Sequence, residues 1–336
     1  MIKRIKNFIA RLLPIPAKSS HKMHADLMAA LEEKSRTIYS EQQRFFTDVS
    51  NQLAEIRGTQ KNSSNKLVEL EARLLKHTAN TESATDKYLK NFAQFKELTK
   101  KEFTALIQKG DAVNSTANEI LWANVFNNTI ESSPWFKNKQ VSPGRWAAGY
   151  STMYLLYRVM QSVKPQHPLE LGLGESTKII SQYAKANSSV KHQVVEHDPG
   201  WIDFWLNSGE LPENTEIVKL DWAYQPYKDC EGVRVYDGFA ERFSDGKYDF
   251  VFVDGPLGGD MKEYSRIDIL SIIPNSLNHT FAIIVDDYNR PGEQMTVKEI
   301  EEKLKSAEIK YAKRIYDGKK NVCIVCSEDL KFLCTL

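Results

Sequence analysis

The chain has 336 residues and a formal net charge of +1. This length allows one or two domains, and so balanced a charge exerts no overall pull on nucleic acid or anionic substrates. The four cysteines, Cys230, Cys323, Cys326 and Cys334, are too few and too C-terminal for a disulfide framework, which points to a reducing, cytoplasmic compartment.

Residues 1–18, "MIKRIKNFIARLLPIPAK", carry five basic side chains and no acid. Ile2, Ile5, Phe8, Ile9, Leu12 and Leu13 fall on one helical face, so the segment reads as a basic amphipathic helix able to lie on an anionic membrane surface. A helix packed on the protein itself, or a frayed end, is the alternative. Arg11 and Pro14 interrupt the apolar run, which argues against a signal peptide. No stretch reaches the ~20 apolar residues that span a bilayer.

Residues 24–110 are nearly free of proline and glycine and rich in Lys, Glu, Gln, Asn, Ser and Ala. A 3-4 apolar spacing runs from Phe46, Val49, Leu53 and Ile56 through Leu67, Leu70 and Leu74 to Tyr88, Phe95 and Leu98. A repeat sustained this long predicts a coiled coil. Polar residues in the seam, such as Gln60, His77 and Asn91, weaken it but can set register and strand number. A helix from about Tyr39 to Ile107 would be roughly 100 Å long at 1.5 Å per residue. With a single apolar stripe it needs a partner, which predicts homo-oligomerisation; a helical hairpin turning near Gly58 or Ser63–Ser64 is the alternative.

Residues 111–336 follow different rules, with Trp, Tyr, Pro and Gly interspersed. Ser142-Pro143 is a helix-start signal. Strands are expected at "PLELGL", "HQVVEH", "TEIVKLD", "YDFVFVD" and "FAIIVDD", alternating with helices over 176–186, 201–207, 264–273 and 297–306. "IKYAKRIYD" and "NVCIVCS" are separated by a gap too short for a crossover helix. The expected fold is α/β, a seven-stranded, doubly wound Rossmann-like sheet with one antiparallel strand. Cys323 and Cys326 form a C-x-x-C within an apolar strand, where residues three apart face opposite sides; a buried strand is favoured over metal or redox chemistry.

Each expected strand ends in acidic or glycine residues, as the carboxyl ends of buried parallel strands do where open α/β sheets bind ligands. An acid before G-x-G after strand one, an acid after strand two and a terminal strand hairpin resemble the class I S-adenosylmethionine (SAM) methyltransferases, from about Arg145 onward. "ELGLGEST" matches the first motif of that family at Glu170, Gly172 and Gly174. Its glycines let backbone approach a ligand. The resemblance implies that this turn, with Ser176 and Thr177, cradles the amino-acid end of SAM. A dinucleotide fingerprint would need its third glycine at Thr177. Glu196, 22 residues after Gly174, is placed to accept the ribose hydroxyls, with Asp198 as fallback. Asp221 after strand three lies near the adenine or caps a turn; Tyr236 and Asp237 contribute to the same pocket.

Asp254 ends strand four and Asp286-Asp287 end strand five. On neighbouring strands the three carboxylates would meet, and they repel unless protonated or neutralised by a cation. Oxygen-only ligation suits Mg²⁺, Mn²⁺ or Ca²⁺. The arrangement is similar to metal-dependent O-methyltransferases of the catechol and macrolide-sugar type, which implies a cation that binds and acidifies the acceptor hydroxyl. "VDGPLGG" also looks like the glucuronoxylan methyltransferases of plants. Where the catechol-type enzymes place a basic lysine this chain has Leu257, leaving Asp254, Asp287, His279 or Lys262 as candidate bases. The other reading has Asp254 facing the cofactor and Asp286 or Asp287 capping a turn. Gly258 and Gly259 suggest a mobile loop. Trp201, Trp205, Trp222, Tyr224 and Tyr227 could stack on sugar rings, and Arg266 and Arg290 could hold an acceptor carboxylate or phosphate or form salt bridges.

Together these readings predict a SAM-dependent O-methyltransferase acting on a sugar hydroxyl of a polysaccharide or lipid-linked glycan, oligomeric through the coiled coil and peripheral to the cytoplasmic membrane face. The rivals are an NAD-dependent sugar oxidoreductase or epimerase, and a non-catalytic coiled-coil scaffold bearing a nucleotide-binding domain.

Overall fold

The computed structural model describes residues 63–144, 147–208 and 211–336, with isolated helical positions between Ala29 and Asn51. The basic segment 1–18 and the hairpin alternative at Gly58 lie outside the described residues. The chain divides into two compact units, 1–102 and 103–336. Among the described residues no helix is long and apolar enough to cross a membrane.

Among the continuously described residues, helix α1 runs from Ser63 to Ile130. It passes through Gly110 without a break, so the composition change there does not end a helix. In the second unit its last turns carry Phe126 and Ile130 into the core. Helix α2 spans Tyr150–Ser162. It begins later than Ser142-Pro143 suggested, because Gly144 takes a left-handed backbone (φ +103°) and Gly149 an extended one at the cap.

The sheet elements follow: β1 Pro168–Leu171, α3 Glu175–Ala186, β2 His192–Glu196, α4 Pro199–Ser208 and β3 Thr215–Lys219. After β3 comes an antiparallel hairpin of β4 (Trp222–Tyr227) and β5 (Cys230–Tyr236), whose turn is made by left-handed Lys228; the sequence reading places no element there. Then come α5 (Phe239–Phe243), β6 (Tyr248–Val253), α6 (Ile269–Ile272), β7 (Leu277–Val285), α7 (Pro291–Ser306), β8 (Tyr311–Tyr316), β9 (Val322–Ser327) and a 3₁₀ turn over Glu328–Cys334. Only four residues of the expected 264–273 helix form. Left-handed Arg266 precedes them, and extended Ile273 before Pro274 stops them.

The seven-stranded sheet has the order β3-β2-β1-β6-β7-β9-β8. The first five strands are parallel and β9 runs antiparallel to both neighbours. This is the doubly wound, Rossmann-like sheet closed by a reversed strand that the sequence predicts. Side chains alternate between two buried layers. Val251, Val253, Ile283, Val285, Cys323 and Val325 face α7 and the β4–β5 hairpin, whereas Phe250, Phe252, Ile284, Ile324 and Cys326 face α2, α3 and the end of α1. The two cysteines thus point to opposite layers as expected, and both are free thiols. Chain order reverses between β1 and β6, and that switch point at the carboxyl edge is where ligands of such sheets bind.

Candidate functional site

At the switch point the backbone of β1 leads into the G-x-G turn. Gly172 is left-handed, at φ +100°, and a Cβ there would lie 3.1 Å from the Asp254 carbonyl carbon. Its freedom is therefore used to let the turn after β1 pack on the turn after β6. Gly174 differs: its φ of −174° is open to any residue, and nothing lies within 4 Å of where its Cβ would be. The open space that a ligand needs is at Gly174, just before the N-terminus of α3. Thr177 is fully buried, and its hydroxyl accepts the Gly174 N–H at 3.1 Å, so it braces the turn. Ser176 donates to Glu170 at 2.5 Å, and His192 Nε2 lies 3.2 Å from the same carboxylate. With Glu170 wholly buried, this trio lies beneath the turn and supports it.

Glu196 closes β2 one strand away. Its Oε2 accepts the Leu173 N–H, and its Oε1 accepts those of His197 and Asp198, at 2.7–3.1 Å. These bonds fix the carboxylate beside the Gly174 turn. Asp198 is not a second candidate: its Oδ1 caps α4 through the N–H groups of Gly200 and Trp201. Asp221 is exposed and paired with Lys219 at 3.0 Å, at the foot of the hairpin.

Asp254, Asp286 and Asp287 do come together, with oxygens of all three within 4.8 Å of one another. What neutralises them was not legible in the sequence. Arg266, 3 % exposed, puts Nη2 at 3.1 Å from Asp254 Oδ1 and 3.0 Å from Asp287 Oδ2, donates from Nη1 to the Asp286 carbonyl at 3.3 Å, and places Nε 3.7 Å from Glu293. Asp287 also meets Arg290 at 2.9 Å and Lys320 at 3.2 Å. Thr152 donates to Asp286 Oδ1 at 2.7 Å. Burial would raise the Asp287 carboxyl, but Arg266, Lys320 and Arg290 together hold it below the usual range. Burial raises Asp254 well above that range despite Arg266, and raises Asp286 with help from the adjacent Asp287.

Arg266 is therefore sealed inside the cluster, where it cannot hold an acceptor group. Both Asp287 oxygens and Asp254 Oδ1 already face cationic nitrogens, whereas Asp286 Oδ2 is buried without a hydrogen-bond partner; a divalent ion at this trio would have to displace ion pairs and complete its shell with water. His279 is excluded as a base. It sits exposed near the amino end of β7, six residues before Val285, or about 20 Å along the strand.

The loop after β6 is held, not loose. Arg234 of β5, 4 % exposed, bonds the Leu257 carbonyl at 2.5 Å, both Asp260 oxygens at 2.7 Å and Tyr224 Oη at 2.7 Å. Its guanidinium also stacks 4.2 Å from the Trp222 ring. A Cβ on Gly258 would collide with Ser265 Oγ at 1.9 Å, so that glycine serves close packing. Trp222 and Tyr224 are 43 % and 59 % exposed, and the His197 ring lies 4.9 Å from Trp222. An aromatic ledge thus runs from Glu196 to the 257–260 loop. Trp205 is core, Tyr227 packs on Tyr264, and Trp201 stacks on Phe204 of α4. Arg234, Lys320 and Thr152 had no motif to mark them.

No protein-family model and no curated protein sequence matches the chain. Solved structures similar to it include methyltransferases. One is an O-methyltransferase from Bacillus cereus in complex with S-adenosylhomocysteine (SAH), at TM-score 0.41 and 13 % identity, covering 65 % of this chain and all of that one. Another is an O-methyltransferase of tomaymycin synthesis from Streptomyces achromogenes in complex with SAM, at 0.37 and 13 %, covering 61 % and 97 %. A third is a methyltransferase from Geobacter sulfurreducens, at 0.35 and 15 %, covering 61 % and 88 %. At such scores and identities the likenesses assign neither activity nor ligand.

Proposed function

We propose that the chain is a SAM-dependent O-methyltransferase. The observation that carries the reading is the open space at Gly174 beside the fixed Glu196 carboxylate, at the switch point of a sheet closed by an antiparallel strand. Gly174 and the first N–H groups of α3 would receive the amino-acid end of SAM. Glu196 would accept the ribose hydroxyls. Bound there, SAM supplies an electrophilic methyl group on sulfur.

The acceptor hydroxyl would enter beside Asp254, the most open carboxylate of its cluster at 18 % side-chain exposure. Asp254, whose basicity is raised by burial, would take the proton that the acceptor oxygen gives up as the methyl group moves to it from sulfur, leaving SAH. The remaining contribution is alignment of acceptor and methyl group. The Trp222–Tyr224 ledge would take the flat face of a sugar ring, which supports a glycan hydroxyl as acceptor. Leu67, Val68, Leu75, Leu98, Leu106 and Ile107 are exposed on α1. In this reading further copies of the chain cover them as a coiled coil, and residues 1–18 add a membrane contact.

The test is calorimetric titration of the full chain with SAM, SAH and NAD, followed by methyl transfer from labelled SAM to sugar acceptors. SAM and SAH binding, weakened at least tenfold (about 1.4 kcal/mol) in Glu196→Gln, is expected. Binding of NAD alone would favour the oxidoreductase reading, and binding of none of the three would leave the scaffold.

A further inference from the structure

Arg266 and Asp287 are two of five non-glycine residues with left-handed backbones, at φ +57° and +55°, and they are salt-bridged at 3.0 Å. Such conformations persist where surrounding structure over-determines them. Three cations, Arg266, Arg290 and Lys320, pair with three carboxylates, Asp254, Asp287 and Glu293, while the Asp286 carboxylate accepts from Thr152.

We infer that Arg266 is the resident cation of this acidic rim. Its guanidinium, 3.1 Å from Asp254 and 3.0 Å from Asp287, stands where a divalent metal would otherwise bridge them, and it positions Asp254 without any metal. A planar guanidinium suits this role better than an ammonium, because its fork reaches two carboxylates and the Asp286 carbonyl at once. It also cannot be deprotonated, so the neutralisation is permanent and needs no ion from solution. Arg266 is thus a positioning residue. It acts through Asp254, and its removal would leave three carboxylates whose mutual repulsion invites a cation. The inference concerns the cluster alone and stands or falls apart from the methyl-transfer reading.

The experiment is titration of the full chain with Mn²⁺, followed by the loss of the free-ion signal in electron paramagnetic resonance, together with thermal melts in EDTA or Mn²⁺. The wild type is expected to bind no stoichiometric Mn²⁺ below roughly millimolar concentration, with an unchanged melt. Arg266→Gln is expected to gain one Mn²⁺ site at least tenfold tighter, or to need Mn²⁺ to fold. Arg266→Lys, which keeps the charge, should stay metal-free. One tight Mn²⁺ site in the wild type, lost in Asp254→Asn, overturns the inference, as does a folded Arg266→Gln without gained affinity. Should Arg266→Gln fail to fold under any condition, the wild-type and Asp254→Asn titrations decide the matter.

Discussion

Lys320 Nζ lies 3.2 Å from Asp287 Oδ1, which ties the turn between β8 and β9 to the acidic rim. The other side of that turn is held by α1: Glu119 accepts the N–H groups of Tyr150 and Lys319 at 2.8 and 2.9 Å, Ser115 donates to the Gly318 carbonyl, and Trp122 donates to that of Asp317 at 2.6 Å. A helix that begins in the heptad region therefore ends by placing a site lysine.

Breaking this tie should affect turnover more than folding. Glu119→Ala orphans two backbone donors, which costs on the order of 1–3 kcal/mol, and frees Lys320 to leave Asp287. We expect kcat to fall several-fold with SAM affinity unchanged, as read by single-turnover kinetics beside calorimetry. An equal loss of SAM affinity would sink the idea.

The two glycines of the G-x-G turn should separate in mutagenesis. Gly172→Ala meets the Asp254 backbone and keeps a positive φ, so it should lose about 2 kcal/mol of stability in urea denaturation. Gly174→Ala meets no protein atom and should melt like wild type while binding SAM at least tenfold more weakly, about 1.4 kcal/mol.

Arg234→Met would remove every bond from β5 to the 257–260 loop. A loss on the order of 2 kcal/mol is expected, since Asp260 is half exposed and returns to water while the Leu257 carbonyl is left unpaired. Limited proteolysis should then cut near 257–260, where the wild type resists. Unchanged resistance would mean that Gly258 packing alone holds the loop.

Asp268 gives a pH signature. Burial raises its carboxyl from 3.8 to about 7, against the hydrogen bond from the Tyr236 N–H. The folded state then binds the proton more tightly than the unfolded one, so this contribution is fully present at low pH and is lost as pH rises from about 4 to about 7. Asp268→Asn should remove that slope. The wild-type-minus-variant stability should shift by on the order of 4 kcal/mol across the window, at 1.36 kcal/mol per unit, as read from urea unfolding at pH 4.5 to 8. A flat difference would show that Asp268 stays ionised.

What the sequence determined by itself was the sheet. Short apolar runs ended by Gly or an acidic residue are a local property of β1, β2, β6 and β7, and they placed Gly174, Glu196, Asp254 and Asp286-Asp287 on one edge. Glycine spacing could not say which glycine faces ligand and which faces Asp254, because both satisfy the same pattern. The β4–β5 hairpin was missed because "WAYQPYKDCEGVRVY" lacks an Asn-Gly or Asp-Gly turn. His279 was placed at the site by residue type alone, although strand direction puts it at the opposite edge. Arg266 and Lys320 lie 12 and 66 residues beyond Asp254. Only the tertiary structure decided that they face the carboxylates, because charge compensation in a buried cluster depends on distances between chain segments and not on spacing along the chain.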